Sequence, residues 1–397
     1  MSSLRYAQPT LEFDFDEASI ASTHRLDGNW APATQGIKYA GSKAKLLPVL
    51  LKEICAYEPH TVLDGFSGST RVSQGLAKMG LTVIATDIAD WSYCLATAFL
   101  RGSSSKTDFE GLMEHLNHLH PENGWYSDHY GGVDNGDGQA VAADGTRRVW
   151  QLQNAMRIDA IRNEISRLTL SPVDEAVCLS ALILAADKVD STVGHYASFL
   201  RVWSPRSYND LVLEVPAFCP PNEDHLVVQG DIRQVITSVD DQYDVLYLDP
   251  PYGSNNDLMP SSRVRYAAYY NLWTSLIRDD YPETYGKSNR RVDTSDRRLQ
   301  NDFEDFRRNP ATGRWLALEA IESVLRQATC PVVVISYSTE GRVPIGELVE
   351  SLGAWGKVAR ILEVDHKRNV MSAMRWTNDW AKDASVSHKE LVLVLER

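Results

Sequence analysis

An apolar run that ends on an acid and two prolines constrains this chain more than any other feature. Tyr243-Asp244-Val245-Leu246-Tyr247-Leu248 has the length and composition of a buried strand, and Asp249-Pro250-Pro251-Tyr252 follows at once. Two successive prolines fix φ and remove two N–H donors, so the ladder cannot continue. The loop's carbonyls are left free to accept, with a carboxylate and a ring held beside them. Open α/β sheets bind their ligands at the edge where such a loop falls. Rigid acceptors next to a stacking face suit a planar amine. Pro-Pro alone would mean only a strand-terminating turn.

The same alternation of strand and helix recurs on either side. Thr61-Val62-Leu63 reads as a strand, Asp64-Gly65-Phe66-Ser67-Gly68-Ser69 as a loop, and Thr70 to Met79 as a helix stopped by Gly80. A second strand, Thr82 to Thr86, ends at Asp87, completing a βαβ unit. Further strands are expected at Leu226-Val227-Val228, Pro331 to Ser336 and Leu391 to Leu395. Residues 101–225 break the pattern, with helices expected near 150–168 and 173–190. Asp134-Asn135-Gly136-Asp137-Gly138 is similar to a calcium loop but lacks the later Glu, so a hairpin or loop is expected.

The loop from Asp64 to Ser69 is not G-x-G-x-x-G, and it begins with an acid that would repel a phosphate. An acid there suits an ammonium group. Asp87, at the end of the next strand, stands where a carboxylate accepts from ribose hydroxyls. A nucleoside with an amino-acid tail fits both, which describes S-adenosylmethionine. The competing readings are a helix N-cap for Asp64 and a turn residue for Asp87. Asp231, after the strand preceding the acid-Pro-Pro-Tyr loop, either accepts from the cofactor's adenine amine or is another strand-end turn acid.

With these blocks in place the chain resembles the Dam-like, alpha-group DNA adenine-N6 methyltransferases. Tyr39-Ala40-Gly41-Ser42-Lys43 is similar to the family's aromatic-Ala-Gly-Gly-Lys block, Asp64–Ser69 to its cofactor loop and Ala85-Thr86-Asp87 to its ribose-binding acid. Asp249–Tyr252 is similar to its catalytic loop, and the strand after Lys389-Glu390 to its C-terminal Glu-Leu-Leu strand. Ser42 and Ser69 replace glycines and need negative φ. The resemblance implies an α/β fold: a Rossmann-like S-adenosylmethionine-dependent methyltransferase sheet with an inserted, mainly helical target-recognition region. Its boundaries are an N-terminal extension at 1–36, a catalytic domain at 37–100 and 226–397, and the insert at 101–225.

That resemblance implies transfer of a methyl group from S-adenosylmethionine to the N6 amine of a flipped adenine in double-stranded DNA. Asp249, Pro250, Pro251 and Tyr252 would be catalytic. Tyr39, Lys43, Asp64, Phe66, Gly68, Asp87, Asp231 and Asp249 would bind the cofactor, and no metal is needed. The Asp249 carboxylate and Pro250 carbonyl would localise the amine's lone pair, while Tyr252 stacks on the base. If the ring alone matters, Tyr252→Phe is mild.

Composition bounds the partners. The 397 residues carry a formal net charge of −13, which alone argues against nucleic acid. From Gly253 to Arg314, however, eleven Lys/Arg stand against nine Asp/Glu. There Arg263-Val264-Arg265-Tyr266-Ala267-Ala268-Tyr269-Tyr270 interleaves basic and aromatic residues, and Lys287-Ser288-Asn289-Arg290-Arg291 follows. Lys287, Arg290, Arg291, Tyr266 and, in the insert, Arg201 are the expected DNA contacts. An amphipathic helix with buried tyrosines is the competing reading, and His195 is expected to be structural. Five cysteines without a C-x-x-C, and no signal peptide or membrane-length apolar run, point to the cytoplasm. A cognate restriction endonuclease would be a separate chain. An RNA base methyltransferase, a catalytically silent DNA-binding relative and a nicotinamide dehydrogenase are the alternatives, the last opposed by Ser69 and the acid loop.

Overall fold

A computed structural model of the protein describes residues 30–105, 107–198, 200–239, 242–253, 265–295, 302–305, 307–365 and 389–397. Seven strands form one sheet. They are β1 Thr61–Asp64, β2 Thr82–Asp87, β3 Leu226–Gln229, β4 Val245–Leu248, β5 Val332–Ser338, β6 Lys357–Asp365 and β7 Lys389–Glu396. Their spatial order is β6-β7-β5-β4-β1-β2-β3. The first five in chain order pair in parallel, and β7 runs antiparallel between β5 and β6.

Both faces of this sheet are covered, which is why its strands read as continuous apolar runs. Leu63, Ile84, Leu246 and Val333 pack toward helices Ile232–Ser238, Leu316–Gln327 and Ile345–Gly353. Val62, Val83, Val245 and Val332 pack toward helices Leu47–Cys55 and Arg71–Lys78. The alternation is the strand period of two. From β1 the chain steps to β2 and β3 on one side, then returns to β4 on the other. The ends of β1 and β4 therefore flank a topological switch point, the place where such sheets hold ligands.

The insert is helical as expected, with helices Leu152–Arg167 and Pro172–Lys188 among others. Its core contains a segment from beyond the catalytic loop. Tyr270, Leu272, Trp273 and Leu276 pack with Tyr126, Tyr130, Trp150 and Leu182. Tyr126 donates to the Ser275 carbonyl at 3.0 Å and Tyr130 to that of Asn289 at 2.7 Å. Residues 33–35 also pack onto helix Arg71–Lys78: Gln35 N–H donates to Gln74 and Lys78 to the Ala33 carbonyl. The end of the expected N-terminal extension thus rests on the sheet domain, and its first 29 residues lie outside the described ones. Asp134 forms a loop, its carboxylate accepting from Gly136, Gly138 and Tyr208. Among the described residues no helix is long and apolar enough to cross a membrane.

Candidate active site

The C-terminal ends of β1, β2 and β4 open on a cavity of about 340 Å³. Tyr39, Lys43, Asp64, Phe66, Gly68, Asp87, Asp231, Asp249, Pro250, Pro251 and Tyr266 line it. All of these are residues that the sequence marks for a site. Of the catalytic four, only Tyr252 is not part of its wall.

Asp249 is held from two sides. Lys43 Nζ lies 2.9 Å from its Oδ1, and the Ser336 hydroxyl donates to the same oxygen at 3.0 Å. Ser336 can do so because Tyr247 supplies its own proton to Ser336 Oγ at 2.8 Å. Oδ2 has no hydrogen-bond partner among the described residues. Burial pushes the Asp249 carboxyl up to about 6, the Lys43 ammonium pulls it back, and the Glu390 carboxylate adds to the rise. Burial alone would lower the Lys43 ammonium, but Asp249 and Glu390 outweigh it and hold it above the usual lysine range.

Tyr252 stands beside Lys43 and Gly41, next to the cavity wall. Its hydroxyl accepts from Lys43 at 3.2 Å and donates to Glu390 Oε1 at 2.8 Å, and its ring meets Tyr337 edge-on. The hydroxyl is thus bonded on both sides, so its removal is expected to cost more than a ring-only role implies. Tyr252→Phe is expected to slow single-turnover methyl transfer by about tenfold, equivalent to about 1.4 kcal/mol of lost charge-assisted hydrogen bonding. Tyr252→Ala should cost more. Unchanged turnover in the Phe variant would return the role to the ring.

The acid loop is built for close approach. Gly68 has φ +46°, and Tyr39 packs where a Cβ would stand, 3.2 Å from its hydroxyl oxygen. Ser42, with φ −54°, and Ser69, also outside the left-handed region, accept the loss of glycine. Thr70 takes the strain instead, at φ +63°. Asp87 accepts from the Gly68 and Ala89 amides, which opposes the upward pull of burial on its carboxyl.

Asp64 is 1% exposed. Its Oδ2 accepts from Ser73 at 2.6 Å, the Phe66 amide also faces the carboxylate, and Oδ1 makes no hydrogen bond of normal geometry among the described residues. Asp64 is thus not a helix cap. Burial pushes its carboxyl up to about 7, more than the Ser73 bond pulls it down. An acid whose folded pKa lies above its ordinary value, here 3.8, contributes fully below that value and loses the contribution as pH rises through about 7. Asp64→Asn should therefore gain on wild type between about pH 5 and about pH 8, by on the order of 2 kcal/mol in urea unfolding of the ligand-free protein. An equal difference at both pH values would mean that Asp64 is ionised throughout.

Other expectations fall differently. Asp231 caps helix Ile232–Ser238 and pairs with Arg233 at 2.6 Å, so its carboxylate is taken. Its cap role matches the competing turn-acid reading. Arg291 was an expected phosphate contact, but it is 3% exposed and locked between Asp280 at 2.6 Å and Asp293 at 2.9 Å. A guanidinium so paired is structural. Lys287 and Arg201 are exposed, and Arg290 lies over the Tyr285 ring. Tyr266 belongs to the cavity wall, beside Tyr39 at 5.4 Å. His195 is buried, stacked on Tyr269, and pushed down to about 4 by burial. Arg263 and Val264 lie outside the described residues.

Several site residues carried no assigned role in the sequence. Glu390 faces Lys43 and Tyr252, Ser336 orients Asp249, and Tyr270 accepts the Ala40 amide at 2.6 Å and so fixes the Lys43 block. Phe303 and Glu304 complete the cavity wall opposite Phe66. Tyr270, Ser336 and Glu390 fall in segments that the sequence singles out, whereas Phe303 and Glu304 do not.

A doubly wound sheet with an acid-Pro-Pro-Tyr loop at its switch point, beside an acidic nucleoside-sized cavity, defines an amino-group methyltransferase. The chain belongs to the D12 class N6 adenine-specific DNA methyltransferases, whose family model matches residues 39–301. It is similar to the type II methyltransferase M.NlaIII of Neisseria lactamica, 26% identical over 341 residues, covering 84% of this chain and 92% of that protein. It is also similar to M.CviAII of Paramecium bursaria Chlorella virus 1, 23% identical over 342 residues with the same coverage of each. The modification methylase StsI of Streptococcus sanguinis is 25% identical over 337 residues, 80% of this chain but 46% of that protein. The chain therefore spans nearly all of the first two and about half of the third. Its activity is site-specific DNA adenine methylation, which sets aside the RNA and nicotinamide alternatives.

Proposed function

We propose that Asp249 and the Pro250 carbonyl grip the N6 amine of an adenine swung out of double-stranded DNA. The observation that carries this is Asp249 Oδ2, to which no described residue donates, beside a loop that two prolines keep out of the sheet. The amine is a poor nucleophile because its lone pair is delocalised into the ring. Accepting both of its hydrogens localises that pair and aims it. Tyr252 and Tyr266 bring their hydroxyls together over Gly41, where a Cβ would lie 3.0 Å from one and 3.8 Å from the other. Their rings suit an unstacked base.

S-adenosylmethionine supplies, when bound, a methyl group on a positively charged sulfur. The residues present fit it. Asp64 Oδ1 makes no hydrogen bond of normal geometry among the described residues and suits its ammonium group, Asp87 its ribose hydroxyls, and Phe66 with Phe303 its adenine. Asp64, Asp87, Asp90, Asp231, Asp249, Asp293 and Glu304 against Lys43, Arg71, Arg278 and Arg291 leave a formal excess of acids in the cavity wall, which favours a cation. The role supported best is the modification half of a restriction-modification pair, as for the type II relatives, with the endonuclease a separate chain. Modification-sensitive sequencing tests this on plasmid DNA from an adenine-methylation-deficient host expressing the chain. N6-methyladenine at one recurrent sequence is expected. Unmodified DNA from soluble protein that binds S-adenosylmethionine would favour a silent DNA-binding relative.

A further inference from the structure

We propose that Glu390 is a positioning residue: it divides the Lys43 ammonium between two carboxylates and so keeps Asp249 a strong acceptor for the target amine. The proposal rests on the reading of Asp249 given above.

β7 is the strand that runs against its parallel neighbours, and this direction puts its first residues at the same edge as the ends of β1 and β4. Glu390 is carried there and is 5% exposed. Among the described residues its side-chain partners are both active-site groups. Oε1 accepts from the Tyr252 hydroxyl at 2.8 Å, and Oε2 lies 3.4 Å from Lys43 Nζ. That distance makes an ion pair without hydrogen-bond geometry, and Oε2 has no hydrogen-bond partner. Burying a carboxylate this incompletely paired is costly, and a leucine would serve the strand better.

The benefit lies in what Lys43 does to Asp249. An aspartate that owned this buried ammonium alone would have its lone pairs drawn toward the cation, leaving it a weak acceptor for an amine N–H. A second carboxylate on the same ammonium restores acceptor strength, while the 2.9 Å contact still fixes the orientation of Asp249. Asp64 from β1, Tyr247 and Tyr252 from its own strand and loop, and Tyr266 and Tyr39 also face Asp249. Among these described neighbours Lys43 is the cation, and Glu390 is the carboxylate that contacts it besides Asp249. The charge effects agree: Lys43 pulls Asp249 down and Glu390 pushes it up.

The test is single-turnover methylation across about pH 5 to about pH 9 by wild type, Glu390→Gln and Asp249→Ala. Each is also checked for S-adenosylmethionine binding by calorimetry and for urea unfolding. Glutamine keeps the shape and the acceptor for Tyr252 but not the charge. Glu390→Gln is expected to move the acidic limb down by about one pH unit and lower the plateau about tenfold, with cofactor affinity within about twofold. A folded, cofactor-binding variant whose limb and plateau stay in place overturns the proposal, as does a stability loss with an unmoved limb. If the variant does not fold, carboxyl NMR of Asp249 in the wild type and Glu390→Asp decides: a midpoint that moves as the second carboxylate is drawn back from Lys43 supports the proposal, and an unmoved midpoint overturns it. Methylation that survives Asp249→Ala sinks the underlying reading instead.

Discussion

Asp249→Ala is expected to lower single-turnover methyl transfer by at least about a thousandfold while leaving a folded protein that still binds S-adenosylmethionine. The loss follows from chemistry: without the carboxylate, one of the two acceptors for the amine is gone, and its lone pair stays in the adenine ring. Survival of the fold follows from the partners. Lys43 keeps Glu390 at 3.4 Å and the Tyr252 oxygen at 3.2 Å, so its buried charge is not stranded. Ser336 loses an acceptor but keeps Tyr247. Asp249 is itself a carboxylate pushed up by burial, so its removal also relieves a desolvation cost. Asp249→Asn retains one acceptor oxygen in the same shape and should fall between alanine and wild type. Rapid-quench measurement of N6-methyladenine with calorimetry on the same preparations checks this. A rate within about tenfold of wild type would place the acceptor elsewhere.

What the sequence made legible was whatever a local pattern encodes. Five of the seven strands stood out because both faces of a mainly parallel sheet are buried, which turns each into an apolar run, and a sixth, the part-exposed edge strand Leu226–Gln229, by its Leu-Val-Val alone. The seventh, Lys357–Asp365, is an edge strand with a register shift near Arg360; Leu362 and Val364 bury on the face where Arg360 pairs with Glu53, and Glu363 on the other face is part-exposed. This strand carried no such run. The strand-end acids were legible for the same reason as the strands, since Asp64, Asp87 and Asp249 close apolar stretches. Partnership across the chain was not. Lys43 and Glu390 meet only because β7 runs antiparallel, and no spacing announces that. Basic residues were read by their sign, yet Arg291 is neutralised by Asp280 and Asp293, one of them two residues away. The tyrosines at 266, 269, 270 and the tryptophan at 273 follow the helical spacing of a core stripe. Tyr270 and Trp273 obey it by burying into the insert, while Tyr266 stays at the cavity.

Lys43→Met is expected to be the most damaging single change to stability, with a severe loss of activity beside it. The ammonium is 4% exposed and sits between Asp249 and Glu390. Methionine fills the volume but leaves two buried carboxylates facing each other, an imbalance that costs about 3–5 kcal/mol when one partner of a buried pair is removed. The pair can escape only by taking up a proton, which raises the folded pKa of the carboxylates above their unfolded values. Stability gained from such a proton is present at low pH and is lost as pH rises, so the deficit against wild type should widen from about pH 6 to about pH 8.5. Lys43 adds no slope of its own there, because its pKa is raised above 10.5 and its contribution is lost only at more alkaline pH. The proton that rescues the fold also blocks the acceptor, so methyl transfer should fall by at least about a hundredfold. Adding Glu390→Gln to Lys43→Met should recover most of the stability by removing one charge, but little of the activity, since nothing then orients Asp249. Urea unfolding of the single and double variants at both pH values measures this. A double variant no more stable than Lys43→Met would mean that the two carboxylates do not share the ammonium.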